Sequence, residues 1–208
     1  MQMLKAKDFR LQAWGKLKGN WGTAIAVTII YSVITGILAA LAYFYIGAIA
    51  ELLVAGPLSL GLVIFYLNVT RKSEAEIGNM FAGFKNFIKA LLAWLLVGIF
   101  TFLWSLLFII PGIIKSYSYS MTMYVLADNP DMDPSDAIKK SMELMQGNKW
   151  RLFCLQFSFI GWILLSMLTF GILMFWVQPY MQAATAEFYN SLVEGEKAVE
   201  VEAEVVEG

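Results

Sequence analysis

The chain has 208 residues, 59% of them hydrophobic and only 15% charged, which is far from the composition of a soluble globular domain and long enough for several membrane crossings. Its formal net charge of -1 conceals an asymmetry: basic residues ahead of the apolar runs are offset by a glutamate-rich C-terminus, a balance that argues against a nucleic-acid partner. With no histidine and a single cysteine, Cys154, the chain lacks the usual zinc and haem ligands, the usual acid–base residue and any intramolecular disulfide, so neither a metal nor a cofactor is expected.

From Met3 to Lys18 the residues Leu4, Phe9, Ala13, Trp14 and Leu17 fall about one helical turn apart, interleaved with Lys5, Lys7, Arg10, Lys16 and Lys18. The spacing predicts an amphipathic helix lying along the membrane with its basic face toward phosphate head groups. Gly19 and Asn20 turn the chain, and Trp21 stands where interfacial tryptophan is favoured. The uncharged run from Gly22 to Ala50 is too long for a signal-peptide core. With Glu51 the only charge before Arg71, the stretch to Thr70 fits two spans, turning between Tyr43 and Pro57 with Glu51 toward the far side.

Arg71-Lys72-Ser73-Glu74-Ala75-Glu76 is a polar connector, followed by Ile77, Met80, Phe81, Phe84 and Phe87 at helical spacing, with Lys85, Asn86 and Lys89 among them. This reads as a second surface helix. Ala90 to Ala127 carries one charge, Lys115, and Pro111-Gly112 is the predicted reversal between a third and a fourth span. The fourth is short and polar, with Ser116, Ser120 and Tyr124 on one face at i, i+4 spacing. Such residues either join helices by hydrogen bonds or line a pathway.

The loop from Asp128 to Asp136 holds four aspartates in nine residues, but a calcium loop would need a glycine and a glutamate where Asp136 and Met142 stand. Asp133, Pro134 and Asp136 instead make a helix start, opening a third surface helix with Ala137, Ile138, Ser141, Met142 and Met145 on one face and Lys139, Lys140 and Glu143 elsewhere. Asn148, Lys149, Trp150 and Arg151 lead into 35 uncharged residues, Leu152 to Ala186, enough for a fifth span and a sixth that ends near Leu192, with Phe170-Gly171 and Gln178-Pro179 as candidate breaks. Glu187 falls well inside that last span, where an unpaired carboxylate is costly; it is expected to be protonated, to face a water-filled cavity, or to reach Arg151 or Arg10. Residues 194–208 are expected to form a disordered acidic tail. Glu51 and Lys115, the only charges placed toward the outer side, are expected to pair, because Lys115 in the first turn of a helix needs a compensating acid; the alternative is that Lys115 snorkels to the outer surface.

The predicted fold is therefore all-α: a polytopic bundle of six transmembrane helices in residues 1–193, built as three hairpins, each preceded by an amphipathic surface helix. The units cover about 3–70, 71–127 and 128–193. Asn20, Asn86 and Asn148 mark corresponding points 66 and 62 residues apart, followed by Pro57, Pro111 and Pro179. Apart from Lys115 and Lys197, every basic residue falls on one side of this plan, which puts both termini in the cytoplasm and the protein in the inner membrane.

Lys18-Gly19-Asn20-Trp21-Gly22, Gly56-Pro57-Leu58, Ser116 to Met121, Leu126-Ala127-Asp128-Asn129-Pro130, Ser158 to Trp162, Pro179-Tyr180 and Phe188-Tyr189 together resemble the bacterial integral membrane family called domain of unknown function 975. The likeness runs from about Phe9 to Leu192 and implies the fold and a bacterial origin, with no activity or catalytic residues. The family is also distantly similar to the membrane domain fused to some glycerophosphodiester phosphodiesterases, but no phosphodiesterase domain is present. Three functions remain. The first is a non-enzymatic module binding membrane lipids or a partner, either another membrane protein or a second copy of itself. The second is a small-solute or ion conduit using the polar fourth span. The third, an intramembrane enzyme, has no HExxH, GxSxG or paired intramembrane aspartate behind it.

Overall fold

The computed structural model describes residues 4–42, 46–72 and 75–207, and is helical nearly throughout them. The helices are α1 (Ala6–Leu17), α2 (Trp21–Ala42), α3 (Ile46–Lys72), a 3-10 helix (Ile77–Asn86), α4 (Phe87–Leu107), α5 (Ile109–Tyr119), α6 (Thr122–Asp128), α7 (Pro134–Leu144), α8 (Lys149–Phe157), α9 (Ile160–Leu168) and α10 (Met174–Glu207). Residues 43–45, between α2 and α3, and 73–74 of the polar connector lie outside the described residues. Four stretches are long and apolar enough to cross a membrane: Trp21–Leu41, Ala50–Lys72, Ile77–Leu107 and Lys149–Leu168. Each exceeds or matches the roughly 20 residues that the hydrocarbon requires.

The centre of the bundle is α3, which packs against α2, the 3-10 helix, α4, α6 and α10. Small residues let it do so. A Cβ on Gly61 would lie 1.7 Å from the Met80 carbonyl oxygen, and one on Gly83 would lie 2.0 Å from the Pro57 carbonyl oxygen. Gly56 meets the backbone of Ala90 in the same way. These are backbone-to-backbone contacts, which in lipid, where apolar side chains gain little by leaving the solvent, supply the close packing that holds helices together.

The predicted second surface helix takes a tighter form than expected. Ten residues in 3-10 geometry eclipse side chains at i and i+3, so the segment has three faces instead of two. Met80 and Gly83 bury one face against α3. Phe81, Phe84 and Phe87 stack along a second with ring centroids 6.4 Å apart, and Asn79 and Lys85 occupy the third. The helix then runs directly into α4. The other two amphipathic segments dock by narrow faces as well: α1 buries Phe9, Ala13 and Leu17 against α10, α8 and α3, and α7 buries Ala137, Ile138, Ser141 and Leu144.

Two connections copy each other. After α1, the amides of Lys18, Asn20 and Ala24 donate to the carbonyls of Gly15, Leu17 and Asn20; after α7, those of Gln146, Asn148 and Leu152 donate to Glu143, Met145 and Asn148. In each, a left-handed glycine, Gly19 (φ 93) or Gly147 (φ 77), precedes the asparagine. Asn20, Asn86 and Asn148 all immediately precede a helix, α2, α4 and α8. Counted from these asparagines, Leu17, Gly83 and Met145, then Ala24, Ala90 and Leu152, then Val27, Ala93 and Leu155 hold the same places, and all nine are buried.

Several sequence expectations are corrected. Pro57 and Pro179 lie inside α3 and α10 and do not end them, while Pro111 sits in the first turn of α5, where a missing amide costs nothing. The reversal is at Phe108, which adopts an extended backbone, and Gly112 lets α5 close on Ser105 of α4. The face shared by Ser116, Ser120 and Tyr124 is broken because α5 stops at Tyr119 and α6 starts at Thr122. Their polar atoms turn inward locally: Ser116 Oγ donates to the Ile113 carbonyl and Ser120 Oγ to Tyr117, and Tyr124 is buried against Tyr189. The backbone groups freed by the break are met by one buried hydroxyl, since Ser141 Oγ accepts from the Met121 amide at 3.1 Å and donates to the Ser118 carbonyl at 2.9 Å. Residues 194–207, expected to be disordered, continue α10 to Glu207. Their glutamates, alanines and lysine are good helix formers, and Glu196 pairs with Lys140 of α7.

Gly83→Ala is expected to destabilise the protein by about 1–3 kcal/mol, the usual effect of overpacking. Gly98→Ala, at a helical position with open space around it, should be neutral or stabilising by up to about 1 kcal/mol. Thermal unfolding in detergent, followed by circular dichroism, checks both. Ser141→Ala strands two buried backbone groups and should lower stability by about 1–3 kcal/mol in the same measurement.

Candidate functional site: the charged end of the bundle

The last turn of α3, the end of α6 and the middle of α10 meet in one polar network. Arg71 closes α3, where the helix dipole favours a cation. Its Nη1 and Nη2 donate to Oδ1 and Oδ2 of Asp128 at 2.6 and 2.9 Å, a two-point contact that fixes both side chains. Arg71 Nε donates to Asn190 Oδ1 at 2.7 Å, and Asn190 Nδ2 donates to Thr70 Oγ1 at 3.2 Å. The Tyr189 hydroxyl donates to Asp128 Oδ2 at 3.0 Å, and the guanidinium lies over the Tyr189 ring. Three elements are thereby tied by side chains far apart in sequence.

Below this clamp lies a cavity of about 440 Å³ lined by Lys16, Thr70, Arg71, Asp128, Glu187 and Glu194, among others. A second, of about 540 Å³, runs between α1 and α10 and shares Lys16, Glu187, Asn190 and Glu194. Glu187 faces both, and its Oε1 is buried without a hydrogen-bond partner. It does not reach Arg10 or Arg151. The Nη1 of Arg10, on α1, donates to the carbonyl of Ser158 at the end of α8, and that of Arg151, on α8, donates to Asn148 Oδ1.

The basic residues expected along the membrane surface divide into two groups. Lys5, Lys7, Lys18, Lys72 and Lys85 are exposed, and Lys16 and Lys149 are half-buried. Others bridge elements: Lys89 Nζ donates to the Pro130 carbonyl and Lys140 pairs with Glu196, whereas Lys139 pairs locally within α7 with Asp136, whose hydrogen bond and charge hold the lysine above its usual pKa. Arg10 and Arg151 lie over aromatic rings, Arg10 on Phe159 and Arg151 between Phe9 and Phe188, and each has a buried Nε without a partner.

At the other end, the expected pair of Glu51 and Lys115 is not formed. Glu51 is exposed on α3, and Lys115 Nζ sits 4.8 Å from the Trp104 ring centroid, so the indole face of α4 supplies the negative potential that an acid was expected to provide. Among the described residues, no group of three histidine, cysteine or acidic side chains is close enough to hold a metal. The sequence reading did not single out Thr70, Asp128, Tyr189 and Asn190 as site residues. Asp128 and Tyr189 do fall in its motifs, but contacts across 57 to 120 residues leave no local pattern.

The arrangement can bind charged groups and hold helix ends together. No curated protein and no solved structure shows a significant match. A family model does match, over residues 3–116 and 106–196, and is described as a protein of unknown function, DUF975. Nearly the whole chain falls within that match, so the protein belongs to the DUF975 family.

Proposed function

We propose that this protein is a non-enzymatic module of the bacterial inner membrane that crosses six times as three hairpins, with both termini cytoplasmic, and binds anionic lipid or a partner protein through its charged end. The observation that carries this is the segregation of charge. Arg10, Arg71, Asp128, Lys140, Arg151 and Glu196 are joined through α1, α3, α6, α7, α8 and α10 at one end, whereas Phe108 and Phe170 stand bare at the hairpin tips, Phe170 at 99% exposure. Beyond the four apolar stretches, the fourth crossing would be α5 with α6, its break closed by Ser141, and the sixth the apolar part of α10. The duplicated Gly-Asn connections and the matched buried positions support descent of the three units from one plan.

A second reading, a conduit, has one observation in its favour. Thr28, Tyr31, Tyr66, Gln178 and Gln182 line a polar pocket of about 100 Å³ between α2, α3 and α10, and the Thr28 and Tyr66 hydroxyls are 3.3 Å apart. A pathway would therefore follow this seam and not the fourth span. Cysteines introduced at Gln178 and Gln182 that react with a small impermeant thiol reagent would support it.

Reporter fusions test the main reading. A fusion after Glu207 is expected to be active in the cytoplasm and one at Gly171 in the periplasm; the reverse pattern would overturn the topology. Replacing the exposed Lys5, Lys7 and Lys18 by Gln should weaken retention of anionic lipid by up to about 1 kcal/mol per charge, measured by lipid analysis of the purified protein. Unchanged lipid content would remove the role of the leaflet.

A further inference from the structure

Four tryptophans converge on one apolar pocket. Trp14 of α1, Trp21 of α2, Trp162 of α9, and Trp176 and Tyr180 of α10 line a cavity of about 490 Å³, a size in the range of small-ligand sites. It is more than incidental core: Trp14, Trp162 and Trp176 keep 52%, 42% and 47% of their surface exposed, so it opens sideways, toward where lipid would be. The rings are ordered by edge-to-face contacts, Trp14 to Trp21 at 5.0 Å and Trp14 to Tyr180 at 5.5 Å, and tryptophan is the residue favoured where head groups meet acyl chains.

A cation, Arg10, lies near this pocket without lining it. Arg10 lies one helical turn before Trp14 and thus on the same face of α1. Its guanidinium packs on Phe159, which makes an edge-to-face contact with Tyr180 at 5.0 Å. Arg10 spends one hydrogen bond on the Ser158 carbonyl, its buried Nε has no partner, and no carboxylate among the described residues is within ion-pair distance. A guanidinium half-buried without a counter-charge is costly unless an anion completes it. The same holds for Arg151 on the far side of Phe9. A half-buried cation near an apolar pocket that opens sideways matches an amphiphile with a negative head and a hydrocarbon tail.

We propose that this pocket is a specific site for one anionic phospholipid, with an acyl chain between Trp14, Trp162 and Trp176 and the head-group phosphate at Arg10. This rests on the lipid-binding side of the function proposed above but differs from it in mechanism: the exposed lysines attract a leaflet, whereas this site holds one molecule.

The test is quenching of tryptophan fluorescence in the full-length protein by lipids brominated on the acyl chain, comparing phosphatidylglycerol with phosphatidylcholine in mixed micelles. The expected result is half-maximal quenching at about tenfold lower mole fraction of the anionic lipid, equivalent to about 1.4 kcal/mol. Arg10→Gln should abolish that preference and Arg10→Lys should keep most of it. Leu173→Phe, which fills the pocket and leaves Arg10 untouched, should reduce quenching by the anionic lipid, so the idea stays testable if Arg10→Gln fails to fold. Replacing Lys5, Lys7 and Lys18 by Gln should leave the preference in place. Equal quenching by both lipids in the wild type, or a preference that survives both Arg10→Gln and Leu173→Phe, would overturn the site. Loss of the preference in the lysine variant alone would also overturn it, while leaving general leaflet binding intact.

Discussion

The contact of the Met80 carbonyl with Gly61, and of the Pro57 carbonyl with Gly83, sets the distance between α3 and the 3-10 helix, and much of the bundle follows from it. At that separation there is no room for side chains between the two backbones, so the 3-10 helix must present a flat face. Eclipsed i, i+3 rows provide one. The phenylalanines are forced onto a single outward row, the chain enters α4 in a fixed direction, and Ala90 comes to rest against Gly56. An α-helix with the same residues would spread Phe81, Phe84 and Phe87 over a wider arc.

A second constraint is that backbone polar groups in a dry interior must find partners inside the protein. The chain meets it at its irregularities with few atoms. One serine, Ser141, closes the gap between α5 and α6, and Thr169 Oγ1 accepts from the Leu173 amide where α9 gives way to α10. Because Ser141 belongs to α7, the break in the polar segment is also what fixes α7 in place. The hydroxyls of the polar segment itself, Ser116, Ser118, Ser120 and Thr122, donate to carbonyls three or four residues back in the chain.

Charge is handled in two distinct ways at the polar end. Arg71 and Asp128 satisfy each other fully and tie three helices, and Lys140 does the same between α7 and the extended α10. Arg10 and Arg151 lean on aromatic rings and carbonyl or amide oxygens without an acid. The first arrangement pairs each cation with an acid; the second leaves a buried Nε on each arginine without a partner, the feature on which the proposed lipid site rests.

Much of this architecture was legible in the sequence. Uncharged runs of span length, aromatic residues beside basic ones and asparagines immediately before helices are local signals, because hydrophobicity and helix initiation are decided within a turn or two of chain. The buried faces of α1 and α7 follow from the same periodicity. What the tertiary structure alone decided is what depends on distance across the bundle. Pro57 and Pro179 read as turns, yet α3 and α10 continue through them. Lys115 found the Trp104 ring and not Glu51, and the acidic end remained helical once Glu196 met Lys140. Arg71, expected at the lipid surface, instead joined Asp128 and Asn190. Apart from Lys115 and Trp104, these partners stand 56 to 119 residues apart and are chosen by packing geometry, and a single sequence records the residues without the distances between them.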